Sequence, residues 1–222
     1  MIFEIKDISK NYGENCVLNK ISLSVNANEI VGIIGPNGSG KTTLLNVVMV
    51  LARVDSGTVS IDLKNQINAA VSRKGFFDDL SVLNNLRMYA RLNSLPFSEV
   101  DRVINLFAID FGALNFGKLS AGMKQRVALA LAFTGSNKLI LLDEPTNHLD
   151  IDSILILRKA VEDTRKSGTA FLIASHTLTE LEKLCDRVLF IRKGKIESNC
   201  SMKEIEKNYS SLEEAYLKIS GQ

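Results

Sequence analysis

An apolar run, Ile30-Val31-Gly32-Ile33-Ile34, leads directly into Gly35-Pro36-Asn37-Gly38-Ser39-Gly40-Lys41-Thr42-Thr43. This is the pattern G-x-x-x-x-G-K-[ST], set between a strand and the start of a helix. It constrains the fold strongly, because strand, tight glycine turn and helix must follow one another without a gap. Glycines let the chain curl so that successive N–H groups point inward, and the helix end adds its positive dipole. Such a cradle suits phosphate. Lys41 is expected to reach the β- and γ-phosphates of a nucleotide, with the Thr42 hydroxyl ligating Mg²⁺. A glycine-rich turn with a chance lysine is the bland alternative, and the flanking strand and helix count against it.

The 222 residues suffice for one large domain or two small ones, and 45% hydrophobic content marks a globular chain. A net charge of +2 argues by itself for neither nucleic acid nor a membrane surface. Three widely spaced cysteines, Cys16, Cys185 and Cys200, show no metal-ligand spacing, so reduced structural thiols in a cytosolic protein are expected. Glu4 and Asp7 interrupt any secretory signal. The longest apolar runs, Leu44 to Ala52 and Val127 to Phe133, fall short of the about 20 residues that cross a bilayer. If the protein works at a membrane, another chain supplies the span.

Alternating residues at Ile2 to Lys6 and Ile21 to Val25 predict antiparallel strands, with Asn11-Tyr12-Gly13 as the turn between them. Ile30 to Ile34 predicts a buried strand, Thr43 to Leu51 a helix, and Thr58 to Ile61 another strand. From Leu80 to Phe133 the spacing becomes helical. Pro96 breaks the run, Ser98 caps a helix over Glu99 to Phe107, and Ser120 opens a third helix closed by Gly135. Leu139 to Leu142 and Ala170 to Ala174 predict strands flanking a helix from Ser153 to Lys166, which implies a parallel sheet covered on both faces. Val188 to Ile191 and Lys195 to Glu197 form an expected hairpin at Lys193-Gly194, and Lys203 to Ile219 an expected helical tail.

Further chemistry lies at Asp143-Glu144, which follow a buried strand. A carboxylate there is expected beside the phosphate loop of the neighbouring strand, with Asp143 in the Mg²⁺ shell and Glu144 polarising the attacking water. The run Leu119-Ser120-Ala121-Gly122-Met123-Lys124-Gln125-Arg126 reads as a capped helix, and also as a second anion site.

Together these runs resemble the nucleotide-binding subunit of ATP-binding-cassette (ABC) transporters, over nearly the whole chain. Leu119 to Arg126 is similar to the family's L-S-G-G-Q signature followed by Q-R. Asp143-Glu144-Pro145-Thr146 resembles its second nucleotide motif, Asn147-His148-Leu149-Asp150 its D-loop, His176 its switch histidine, and Tyr12 the aromatic that stacks on adenine. The resemblance implies an α/β fold with a phosphate-loop, RecA-like, mostly parallel sheet, an N-terminal antiparallel β subdomain and an inserted helical subdomain. Residues 1–222 would form one ATPase domain, with core 1–74 and 135–222 and helical part 75–134. It implies Mg-ATP contacted by Gly35, Pro36, Asn37, Gly38, Ser39, Gly40, Lys41, Thr42 and Thr43, and a head-to-tail dimer in which Ser120, Gly122 and Asp150 serve the nucleotide across the interface. Glu144, His176 and Lys41 are the implied catalytic residues. A separate transmembrane permease is the implied partner, with the subunit peripheral on the cytoplasmic face of the membrane.

Three positions depart from the family pattern. Ser72 stands where a glutamine usually touches Mg²⁺ and the attacking water, which predicts weak intrinsic hydrolysis. Ala121 replaces a glycine, and Met123 replaces a polar residue. The stretch from Ile61 to Ala69 is shorter than the usual hairpin, so a trimmed antiparallel sheet is expected. Ser211 to Lys218 resembles the ending of subunits paired with six-helix export permeases. Two other readings follow from the same family. One is a soluble member acting on ribosomes or nucleic acid, suggested by Asn147 to Asp150. The other is a dimerisation module without turnover, against which Glu144 and His176 argue.

Overall fold

The computed structural model describes residues 1–61, 66–70 and 75–221. Among them, two sheets share the chain. Strands β1 (Phe3–Tyr12), β2 (Asn15–Val25) and β4 (Ser56–Ile61) form an antiparallel sheet in the order β2-β1-β4. The second sheet holds β3 (Ile30–Ile34), β5 (Ile67–Ala70), β6 (Leu139–Asp143), β7 (Ala170–Ala174), β8 (Arg187–Arg192) and β9 (Lys195–Ser201), in the order β5-β6-β7-β3-β8-β9. Its pairs are parallel except the β8–β9 hairpin.

The central strands β3 and β7 and the first four residues of β6 carry no charged or polar side chain, because both faces are covered. Along β6, Leu139 and Leu141 face one buried cluster, and Ile140 and Leu142 face the other. β3 divides in the same way, with Val31 and Ile33 on the first side and Ile30 and Ile34 on the second. One cluster lies between the parallel sheet, helix α1 (Lys41–Val48) and the antiparallel sheet. The other joins the opposite face to the helical region and the C-terminal helices. Each fully buried Leu or Ile contributes about 1.5–3 kcal/mol of transfer free energy.

The helical region comprises α2 (Val82–Leu92), α3 (Phe97–Leu106) and α4 (Ala121–Ala132), with a 3₁₀ turn at Phe116–Lys118. Ser81 caps α2 by accepting from Asn84 N, and Ser120 caps α4 by accepting from Met123 N, each at 3.2 Å. α3 starts earlier than expected: the extended Pro96, not Ser98, is its N-cap, because the proline carbonyl already accepts from Glu99 N at 3.0 Å. α5 (Ile151–Lys166) likewise starts two residues early, behind Asp150. β1 runs through the expected turn to Tyr12, and the reversal falls at Gly13, φ +60°. The tail is two helices, α7 (Met202–Asn208) and α8 (Leu212–Ser220), broken at Tyr209–Ser211 where Ser211 starts a new cap.

Two elements carried no signal that the sequence reading used: β5 and α6 (Leu178–Leu184). β5 pairs in parallel with β6 at the edge of the second sheet, so Ile67–Ala70 belong to that sheet and not to the antiparallel one, while residues 62–65 of the expected short hairpin lie outside the described residues. The expectation that β6 neighbours the phosphate-loop strand is corrected: β7 lies between β6 and β3. All three strands are parallel and their carboxyl ends lie at the same end of the sheet, so the loops after β3, β6 and β7 meet there.

Candidate nucleotide site

The loop between β3 and α1 is held by its own backbone and by Lys41. Lys41 Nζ donates to Gly35 O at 2.7 Å and Pro36 O at 3.2 Å, and the residue is buried. Gly40 sits at φ +106° as the N-cap of α1, and no side chain caps that helix. Its first-turn N–H groups are therefore open at the loop. Gly35 is required by close approach, since a Cβ there would lie 2.2 Å from Ile191 O. Ser39 Oγ is buried without a hydrogen-bond partner among the described residues.

Thr42 Oγ1 donates to Asp143 Oδ2 at 2.6 Å, across 101 residues of sequence. Burial, followed by the adjacent Glu144 charge, holds Asp143 above the usual carboxylate range, while the Thr42 hydrogen bond and Lys41 pull the other way. Glu144 has a left-handed backbone, φ +48°, which a non-glycine residue seldom adopts. Its N–H donates to Ala174 O at 2.8 Å. Oε2 of Glu144 lies 2.7 Å from His176 Nδ1, and accepts from His176 N and Ser175 Oγ, each at 3.3 Å. In the tautomer whose Nδ1–H donates to Glu144, Nε2 is an acceptor with no hydrogen bond among the described residues.

These groups border a cleft of about 350 Å³ lined by Asn37, Gly38, Gly40, Lys41, Thr42, Thr43, Asp143 and Glu144, and by Asn15 and Val17 of β2. The last two were not anticipated. The register that folds β2 over the loop is a tertiary property, although its trace is visible in the glycines: a Cβ on Gly40 would meet Val17 O at 2.8 Å, and one on Gly194 would meet the same atom at 2.4 Å. Tyr12, at the end of β1, is exposed and carries Lys10 Nζ 5.2 Å from its ring centroid; it does not line the cleft.

Ser120 and Gly122 also lie outside the cleft lining. Gly122 meets a need within the chain, since a Cβ there would lie 2.5 Å from His148 O. Buried Gln125, one turn on, donates to Pro145 O at 3.1 Å, which ties α4 to the loop after β6. Asp150 accepts from Ser153 N at 2.9 Å and so caps α5. Ser72 lies outside the described residues.

The family model described as ABC transporter matches residues 18–147, more than half of the chain. The chain belongs to the ABC transporter family. The ABC transporter ATP-binding protein YdbJ of Bacillus subtilis is 33% identical over 234 residues, covering 100% of this chain and 75% of that one. The lantibiotic transport ATP-binding protein SrtF of Streptococcus pyogenes is 29% identical over 203 residues, covering 88% and 89%. A solved ATP-binding subunit of an ABC transporter superposes with a TM-score of 0.90 at 25% identity, covering 99% of this chain and 100% of that one. The chain is thus an ABC transporter ATPase, the ATP-binding subunit of such a system, and the ribosome-directed reading gives way to transport. Among the described residues no helix is long and apolar enough to cross a membrane.

Proposed function

We propose that this ABC ATPase binds Mg-ATP in the cleft at the ends of β3 and β6, hydrolyses it within a dimer of cassettes, and drives a separate permease from the cytoplasmic face of the membrane. The observation that carries the proposal is the convergence of Thr42 on Asp143 and of Glu144 on His176 beside the Lys41 loop.

The donor set fits Mg²⁺. A threonine hydroxyl and a carboxylate, 2.6 Å apart, are hard oxygen ligands. Among the described residues no group of three His, Cys, Asp or Glu could hold a metal by itself, in keeping with an ion held chiefly by phosphate oxygens and water. Bound there, Mg²⁺ supplies charge neutralisation on the phosphates. Lys41 and the backbone N–H groups of the first turn of α1 bind and orient the triphosphate, with Gly35, Pro36, Asn37, Gly38, Ser39 and Gly40 shaping the loop. Glu144 orients the attacking water and takes its proton. His176 and Ser175 engage Oε2, which leaves Oε1 for that role. Tyr12 offers an exposed ring for the base.

Ser120 and Gly122, being outside the cleft, serve a second cassette's nucleotide, with Asp150 holding the neighbouring loop through its cap. Residues 1–222 act as one unit, with residues 75–134 as its helical part. Export is the direction favoured, on the Ser211–Lys218 tail and on the lantibiotic transport relative. The test is Glu144→Gln. Turnover should fall by about 10²–10⁴-fold while ATP binding persists, and light scattering should show an ATP-dependent dimer. Unchanged turnover would remove Glu144 from the reaction.

A further inference from the structure

A second depression, of about 350 Å³, lies on the helical region and is lined by Leu80, Asn84, Arg87, Met88, Arg91 and Phe97. Arg87 and Arg91 stand one helical turn apart on α2, both exposed. Their guanidinium carbons lie 5.8 and 5.3 Å from the centroid of the Phe97 ring. Six other arginines, Arg102, Arg126, Arg158, Arg165, Arg187 and Arg192, each donate to a carboxylate or a backbone carbonyl. Arg87 and Arg91 have neither kind of partner among the described residues. Arg53 also lacks one but has no ring contact. Two cations are thus held over one half-exposed aromatic, with Leu80 and Met88 beside them and no counter-ion.

We propose that this depression binds the headgroup of an anionic phospholipid at the bilayer surface. The chemistry combines what a headgroup presents. The arginine forks match phosphate oxygens, and the partly exposed Phe97, 42% accessible, matches the less polar glycerol and upper acyl region. A free phosphate would use the cations and leave the apolar floor in water, whereas a lipid covers both. The proposal rests on the transport reading only for the presence of a nearby membrane.

The full chain is tested by co-sedimentation with vesicles of phosphatidylcholine alone or with phosphatidylglycerol added. A cation near an anionic surface strengthens partition about fivefold, so the pair should favour the anionic vesicles about thirtyfold at low salt, and less as salt rises. Replacing both arginines, Arg87→Ala with Arg91→Ala, should abolish most of that preference. Arg87→Lys with Arg91→Lys should keep part of it. Lys203→Ala with Lys207→Ala, on helix α7, should leave it in place. Phe97→Ala should weaken binding to both vesicle types. Excess inorganic phosphate should compete little; full competition would assign the site to a free anion and overturn the lipid reading. Equal partition onto both vesicle types, or equal loss from the lysine pair, overturns it too. So does salt-sensitive retention on native membranes without vesicle preference, which would assign the patch to an acidic protein. ATP turnover measured on the same samples reports separately on the proposed hydrolysis: vesicle binding without turnover would leave the lipid site standing and count against that hydrolysis alone.

Discussion

Helices α1 and α4 both have a small residue at the N-cap, Gly40 and Ser120, and they open differently. α1 starts from Gly40 in a left-handed conformation, with no side chain accepting from its first turn. α4 starts from Ser120, whose hydroxyl already accepts from Met123 N at 3.2 Å. The first helix end lines a cleft together with a buried lysine; the second packs Gly122 against the His148 carbonyl. One end is a ready cradle for phosphate. The other is partly engaged in its own stability and lies outside the lining of the same chain's cleft. On the proposed reading the two helix ends would be the two halves of one site, completed by a second copy.

The largest expected effect separates the two ends. Lys41→Ala removes a charged donor and loosens the loop carbonyls of Gly35 and Pro36. ATP affinity of the isolated subunit should fall roughly a hundredfold by titration calorimetry, corresponding to about 3 kcal/mol. Ser120→Ala should leave that affinity unchanged while lowering turnover, because turnover needs the second copy. A loss of monomer affinity in Ser120→Ala would break the contrast.

Stability probes sharpen it next. Gly122→Ala places a methyl group 2.5 Å from a backbone oxygen, so denaturant unfolding should show a loss of about 1–3 kcal/mol. Gly38→Ala meets open space, and its penalty comes from φ +79° alone, about 1–2 kcal/mol. The mechanisms differ: relief at Gly122 requires movement of the His148 loop, so its variant should also raise hydrogen exchange around Asn147–Asp150. The Gly38 variant should leave that loop protected. Ser120→Ala should cost about 1 kcal/mol through the lost cap.

The sequence was most legible where local chemistry and burial agree. β3, β7 and the first four residues of β6 lack polar side chains because both faces are covered, and runs of Ile, Leu, Val, Phe and Ala mark them, with Asp143 extending β6 by one residue. The Lys41 loop, Asp143, Glu144 and His176 come together as their order along the chain suggested. Strand order was less legible. That β7 separates β6 from β3 depends on crossovers that no local pattern encodes. β5 is four residues of modest hydropathy at a sheet edge, too short for periodicity to declare it. Asn15 and Val17 reach the cleft only because the antiparallel sheet folds over the loop. Asp150 does what its local chemistry says, as an N-cap.

The far end of α1 offers the smallest effect and a second contrast. α5 ends into Gly168 at φ +104°, as left-handed helix ends favour. α1 ends into Val50 at φ +60°, a β-branched residue where a Cβ crowds the carbonyl. Val50 N still donates to Val47 O at 3.0 Å, and Leu51 N to Asn46 O at 2.9 Å, so the turn is formed despite the strain. The Val50 side chain is 73% exposed and contributes little burial to offset it. Val50→Gly should therefore stabilise the subunit by about 1 kcal/mol, the relieved strain being partly cancelled by the freer unfolded chain. For a domain of this size that is a rise of about 2–4 °C in Tm. ATP affinity should not change, since Val50 is outside the cleft. A lower Tm would mean that the valine side chain holds the turn in a way its exposure does not reveal.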